Sequence, residues 1–114
     1  MDKSNQTYEM ATIFTSEIPD SEIQNHIEDV ENLIGTFGGK IHKTDVWGMR
    51  DFAYQIKKKD SGYYVFYYFE APREAPHKIR DAIRLREDVL RQMILVNENV
   101  RQMMKEVENG TEET

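Results

Sequence analysis

The 114-residue chain contains no cysteine. That single absence excludes disulfides, thiolate zinc sites, iron–sulfur clusters and cysteine nucleophiles, and it suits a reducing cytoplasm. Long apolar runs are missing as well. No stretch approaches the roughly 18 apolar residues of a membrane span, so no membrane partner is expected. The opening residues, Met1-Asp-Lys-Ser-Asn-Gln, are polar, and no secretory signal is expected there. Glycine-rich phosphate cradles are also lacking. Gly38-Gly39 follows a helical pattern, whereas a nucleotide-binding turn follows a strand.

The titratable residues give no catalytic constellation. His26, His42 and His77 are the only histidines, and none stands at metal-ligand spacing from another. His26 falls among acidic residues and reads as a solvated side chain. Glu28-Asp29 and Glu87-Asp88 are sequence neighbours, which point in different directions on a helix and make poor acid/base pairs. No enzyme activity, metal or cofactor is expected.

What remains is the composition of a soluble domain, with 39% hydrophobic and 32% charged residues. At this length folding hides roughly two-thirds of the surface of the unfolded chain, enough for one core. The net charge is −6, but its placement is uneven. Residues 1–38 hold one basic and eight acidic side chains, residues 39–91 twelve and eight, and residues 92–114 two and five. The middle of the chain can therefore face a polyanion although the whole is acidic.

Hydrophobic periodicity orders the elements. Thr7 to Thr15 alternates like a strand. Pro19-Asp-Ser opens a helix with Asp20 or Ser21 as N-cap, and Ile23, Ile27, Val30, Ile34 and Phe37 share one face of it until Gly38-Gly39 stops it. Lys40 to Lys58 is mostly extended, with Gly48 marking a bulge or bend. Lys57 to Gly62 reads as a turn and Tyr63 to Glu70 as the strongest strand, ended by Pro72. Pro76 suits the first turn of a second helix, with Ile79, Ala82 and Ile83 on its apolar side. Val89 to Asn97 is a final strand. The charged remainder is expected to be helical to about Val107 and then to fray.

This order, β-α-β-β-α-β, predicts an α+β fold: the ferredoxin-like split β-α-β sandwich, a four-stranded antiparallel sheet with two helices on one face. The domain is expected over residues 7–97, between a flexible N-terminus (1–6) and a C-terminal extension (98–114).

In the strongest strand Tyr63, Val65, Tyr67 and Phe69 form one register, and Tyr64, Phe66, Tyr68 and Glu70 the other. Only one set can face the helices. The set ending in Glu70 is assigned to the open face, which would expose three aromatic rings in a row. Such a patch marks a partner surface, unless the C-terminal tail or a second copy covers it. On this reading a charge at Phe66 spares the fold and blocks the partner. RNA recognition motifs also carry aromatics on an open sheet face, but Ser61-Gly62-Tyr63-Tyr64-Val65-Phe66 lacks the basic residue and the small residue of their third-strand signature.

Residues 47–59 interleave Trp47, Phe52 and Tyr54 with Arg50, Lys57, Lys58 and Lys59. Such a hairpin can hold phosphates and flank bases or a partner chain. It can equally be a solvated turn whose lysines protect a sheet edge. The residues alone leave both readings standing, beside a third in which the domain self-associates through its aromatic face and serves as a ligand-binding or regulatory module.

The stretch Gly48-Met-Arg-Asp-Phe-Ala-Tyr-Gln-Ile-Lys57 resembles the signature of the bacterial small-subunit ribosomal protein six family. Phe52 stands where the family usually has Leu, and Gln55 where Pro is frequent. Gly39-Lys-Ile-His-Lys43, Trp47-Gly48, Tyr63-Tyr64-Val65, Glu70-Ala-Pro72, Tyr8-Glu9 and Arg91 to Met93 extend the likeness over about residues 7–97. The resemblance implies a structural, cytoplasmic component of the small ribosomal subunit, monomeric off the ribosome. It would bind the central domain of small-subunit ribosomal RNA together with small-subunit protein eighteen. It further implies RNA contacts from Arg50 and Arg91, to which the lysine turn Lys57, Lys58 and Lys59 is added. Trp47, Tyr64, Phe66 and Tyr68 are the expected partner-binding residues. Gln6 and Thr7 stand where members often carry basic residues, so fewer charges meet RNA here and the partner protein carries more of the placement.

Overall fold

The computed structural model describes residues 5–96. The expected strand end at Asn97 and the extension 98–114 lie outside the described residues. Six elements follow in the expected order: β1 (Asn5–Thr15), α1 (Ile23–Thr36), β2 (Lys40–Ile56), β3 (Lys59–Pro72), α2 (Ala75–Arg84) and β4 (Val89–Leu95). The four strands form one antiparallel sheet in the order β2-β3-β1-β4. This is the ferredoxin-like α+β sandwich.

The uninterrupted burial of β1 has a simple cause. It is a central strand, so both of its faces are covered, and every residue from Tyr8 to Thr15 is buried. Tyr8, Met10 and Phe14 enter the core beneath the helices with Val65, Tyr67 and Phe69 of β3. Helix α1 adds Ile27, Val30 and Ile34, and α2 adds Ala75, Ile79 and Ile83, each set spaced to share one face. Two polar groups inside this layer are tied down by hydrogen bonds. Thr12 Oγ1 donates to the Val65 carbonyl at 2.9 Å, and Tyr67 Oη donates to the Ile27 carbonyl at 3.1 Å, tying α1 to the sheet. Burial pushes the Tyr67 phenol far above its ordinary range.

Helix α1 starts later than expected. Residues 16–22 form turns, and Glu22, not Asp20 or Ser21, takes the N-cap position, with no side-chain bond. Its end matches the expected stop. Gly38 lies at φ 89, its N–H bonds the Gly35 carbonyl, and the Gly39 N–H bonds the Ile34 carbonyl. That pair of bonds satisfies the last carbonyls of the helix.

The sheet departs from expectation mainly in its hairpin. The residues expected to turn, 57–62, reduce to a two-residue turn, Lys57-Lys58, closed by pairing of Ile56 with Lys59. β3 therefore begins at Lys59, and β1 at Asn5, where pairing with Pro72 gives it a partner.

Candidate nucleic-acid interface

The face of the sheet away from the helices is not open. The register follows the expected parity: Tyr64 and Phe66 lie opposite the helix-side set, in a second apolar cluster with Ala11, Ile13, Ile56 and Leu90. Both rings, however, are 0% exposed, and Tyr68 is half-buried. The correction has a structural reason. Trp47 and Phe52 of β2, with Met93 and Leu95 of β4, pack onto this cluster. Trp47 sits 4.7 Å from Phe66 and Phe52 sits 6.3 Å from Tyr64, centroid to centroid.

β2 reaches over its own sheet because it is bulged. The pairing with β3 slips between Val46 and Gly48, and Gly48 lies at φ 92, a backbone conformation that costs glycine nothing. Such a bulge bends a strand and re-aims the side chains beyond it. Phe52 then descends onto Gly62, where a Cβ would stand 2.7 Å from the Phe52 ring and 2.4 Å from Ile13 Cγ2. Ile56 is buried in the same cluster as Leu90 of β4. The hairpin tip thus lies back across the sheet, towards the edge strand.

The basic side chains of this tip separate into different environments. The Arg50 guanidinium lies 5.2 Å from the centre of the Trp47 ring, a cation–π distance. Lys59 Nζ bridges Glu17 Oε2 at 2.5 Å. Lys57 and Lys58 form the turn itself and are exposed. Lys57 shares a cleft of about 220 Å³ with Arg91 of β4, together with Ile83, Arg84, Val89, Leu90 and Gln92. Of the five residues expected to meet RNA, the fold therefore brings Lys57 and Arg91 to one cleft, leaves Lys58 beside them, places Arg50 on Trp47 and ties Lys59 to an acid. Arg84 and Gln92 were not singled out from the sequence. The available signal was the position of Arg84 in the last turn of α2, directly before the strand that carries Arg91.

The approach to β4 is held by a charged cluster. Arg86 donates to both Asp88 oxygens, through Nε at 2.9 Å and Nη2 at 2.7 Å. His26 Nδ1 lies 2.6 Å from Asp88 Oδ2, so this histidine is paired with Asp88 rather than freely solvated as expected. Arg86 Nη2 also reaches Asp29 of α1 at 3.5 Å. Burial alone would raise the Asp88 carboxyl, but the bonds from Arg86 and His26 outweigh it and hold the group below its ordinary range. The bond to Asp88, with help from Asp29, raises the Arg86 guanidinium against the opposing effect of burial. The Asp88 carbonyl accepts from the Thr15 N–H at 2.8 Å, which fixes where β4 enters the sheet.

These features define a class: a two-layer α+β domain whose basic hairpin tip adjoins an edge strand. Among the described residues no group of three or more His, Asp or Glu could hold a metal, and no helix is long and apolar enough to cross a membrane. Residues 7–96 match the family described as Ribosomal protein S6, and the chain belongs to that family. The small ribosomal subunit protein bS6 of Carboxydothermus hydrogenoformans is 35% identical over 88 residues, spanning 77% of this chain and 92% of that protein. Its counterpart in Paramagnetospirillum magneticum is 32% identical over 88 residues, and the match covers 61% of that longer protein. The crystal structure of 30S ribosomal protein S6 from Thermotoga maritima superposes with a TM-score of 0.78 at 27% identity, covering 90% of this chain and 96% of that one. The family is a structural component of the bacterial small ribosomal subunit, in the cytoplasm, and not an enzyme.

Proposed function

We propose that this protein is a structural constituent of the small ribosomal subunit that binds the central domain of small-subunit ribosomal RNA together with small-subunit protein eighteen. The observation that carries the reading is the family match over residues 7–96, which includes the Gly48–Lys57 signature. In the fold that signature becomes a bent hairpin whose tip sets Lys57 beside Arg91. Lys57, Lys58, Arg50 and Arg91 are the cations offered to RNA phosphates, which supply most of the affinity in such complexes. Lys59 joins them only by releasing Glu17. Trp47 and Tyr68 form the accessible part of the partner surface, with Tyr64 and Phe66 buried beneath as its support.

Small subunits purified from the source cell at moderate salt should contain the protein. Its absence from such subunits sinks the reading. Sedimentation of the isolated protein distinguishes the self-associating alternative, since a stable dimer without RNA or partner protein would favour that one instead.

A further inference from the structure

We infer that the chain beyond β4 covers the aromatic sheet face of its own molecule. Residues 97–107 form an amphipathic helix that crosses the strands over Leu95, Tyr68 and Trp47, and the acidic end that follows meets cations on β2. The inference concerns the free protein and does not depend on the ribosomal reading.

The face itself calls for a second layer. Both helices pack on the other side of the sheet, and every member of the cluster opposite comes from a strand. Glu9 belongs to this face by alternation, since Tyr8 and Met10 enter the helix-side core and Ala11 the opposite cluster. It pairs with Tyr68 on one side and Leu95 on the other, both only half-buried, yet Glu9 itself is 4% exposed. Side chains of a sheet stand roughly perpendicular to it, so two partly exposed neighbours in one row do not hide a carboxylate between them. A layer above that row does.

The sequence beyond β4 has the form of such a layer. Val96, Val100, Met103 and Val107 recur at i, i+4, i+7 and i+11, with Met104 beside them, which makes one stripe of a helix. Glu98, Arg101, Gln102 and Lys105 take up the rest of its circumference. A helix this short is marginal in water without a surface to pack on. Methionine adapts to the uneven relief of aromatic rings and gains sulfur contacts with them. Val96, where the stripe starts, is 54% exposed and directly follows Leu95, whose side chain already lies in the cluster.

Reach and charge agree with this placement. β4 and β2 are the two edges of the sheet, about 14 Å apart at the usual strand spacing. Residues 97–107 as a helix measure about 16 Å, so a stripe that leaves the β4 edge ends above β2. There Lys43 lies 6.0 Å from the centre of the Tyr68 ring and Arg50 5.2 Å from that of Trp47. Residues 106–114, which arrive at that edge, hold four acidic side chains and no basic one. Apolar residues thus meet the rings, and carboxylates meet the two cations beyond them. A second copy offers the same stripe, but the tethered one acts at an effective concentration on the order of millimolar and prevails in dilute protein. An outside partner that uses Trp47 and Tyr68 has to displace the segment first.

The absence of cysteine makes the test direct. In the full-length protein Gln102→Cys, on the polar side of the proposed helix, supplies a single thiol for a nitroxide spin label. Trp47 is the only tryptophan, so its indole N–H gives one assignable resonance. In dilute labelled protein that resonance should broaden strongly, although Trp47 lies three strands from β4, while the amide of Lys78 on the exposed side of α2 stays sharp. Adding Met103→Asp should restore the Trp47 resonance and move the tryptophan emission to longer wavelength. Lys105→Gln, off the stripe, should change neither. An unmoved Tyr67 amide, in the helix-side core, shows that each variant is folded. A second sample mixes spin-labelled protein of natural isotope content with isotope-enriched protein that carries no label. Broadening of Trp47 in this mixture alone assigns the cover to a second copy and overturns the inference. A Trp47 resonance that stays sharp in the labelled chain, or stays broad with Met103→Asp, overturns it as well.

Discussion

Lys57 and Lys58 sit in the left-handed region, where Cβ crowds the following carbonyl at a cost of about 1–2 kcal/mol per residue. Lys58→Gly removes that crowding at the one turn lysine outside the cleft. It should stabilise the fold by about 1 kcal/mol, seen as a higher urea midpoint at unchanged slope. Gly62 presents the opposite case. A methyl group there meets Ile13 and Phe52 at 2.4 and 2.7 Å, and overpacking of this kind costs about 1–3 kcal/mol. Gly62→Ala should therefore lower the midpoint, and a wild-type midpoint would show that Phe52 does not hold the place described. These residues were visible in the sequence, but their conformations and surroundings were not, because each depends on where the Gly48 bulge, nine to fourteen residues away, aims the chain. Phe66 carries the same lesson. Its parity in β3 was legible from simple alternation, yet its burial was not, since the covering rings come from β2 after its bend. A charge at Phe66 is accordingly expected to destabilise the fold, and Trp47, at the rim, becomes the position at which to probe a partner.

Between elements, the contact that ties α1 to the start of β4 runs through Asp88. Its carboxyl is lowered in the folded protein: burial opposes ionisation, and the bonds from Arg86 and His26 overcome it. A group depressed on folding adds stability that is present above its unfolded value, about 3.9, and is lost as pH falls through the folded one. The contribution of Asp88 should thus be complete at neutral pH and disappear only below about pH 4. Asp88→Asn should cost about 1–3 kcal/mol at pH 7, because it leaves the half-buried Arg86 without its charged acceptor. The difference from wild type should shrink below pH 4, and a constant difference from pH 7 to pH 3 would contradict the assignment. Elements of this kind differ in how well they show in a sequence. The helical stripes of α1 and α2, the alternation of β1 and the bulge glycine were all legible, because local period and local conformation determine them. The His26–Asp88 pair was not, since 62 residues separate its members and no pattern links them. The start of α1 was misplaced for a related reason: the capping residues Asp20 and Ser21 are good candidates by type, but the chain spends them in the preceding turns.

Across the whole molecule, charge is sorted by sequence and then by folding. The surplus of basic residues in 39–91 suggested a polyanion partner, and the resemblance of Gly48–Lys57 named one. Which cations converge was hidden, because Lys57, Arg84 and Arg91 come together only when the hairpin folds back across the sheet. Folding also sets most of the proposed RNA-facing cations apart from the proposed partner surface. Lys57, Lys58 and Arg91 lie at the tip and on β4, whereas the aromatic rim of Trp47 and Tyr68 lies along β2 and β3 and carries Arg50 on the Trp47 ring. That separation predicts two distinct mutational signatures in a three-component assembly of this protein, protein eighteen and central-domain RNA. Arg91→Ala removes a charge from the cleft, so it should weaken assembly increasingly at low salt and lower the salt slope by about 0.9 unit. Trp47→Ala removes a large half-buried ring from the rim. Aromatic anchors of this kind cost about 2 kcal/mol or more when truncated, so pairing with protein eighteen should weaken at least about 30-fold while the salt slope stays as in wild type. Trp47 also carries Arg50 on its ring, and a fall in slope for Trp47→Ala would mean that this stack positions Arg50 against RNA. Arg50→Ala in the Trp47→Ala background decides between the two. No further loss of slope assigns the whole effect to the stack, whereas an additional loss makes Arg50 an RNA contact independent of its ring.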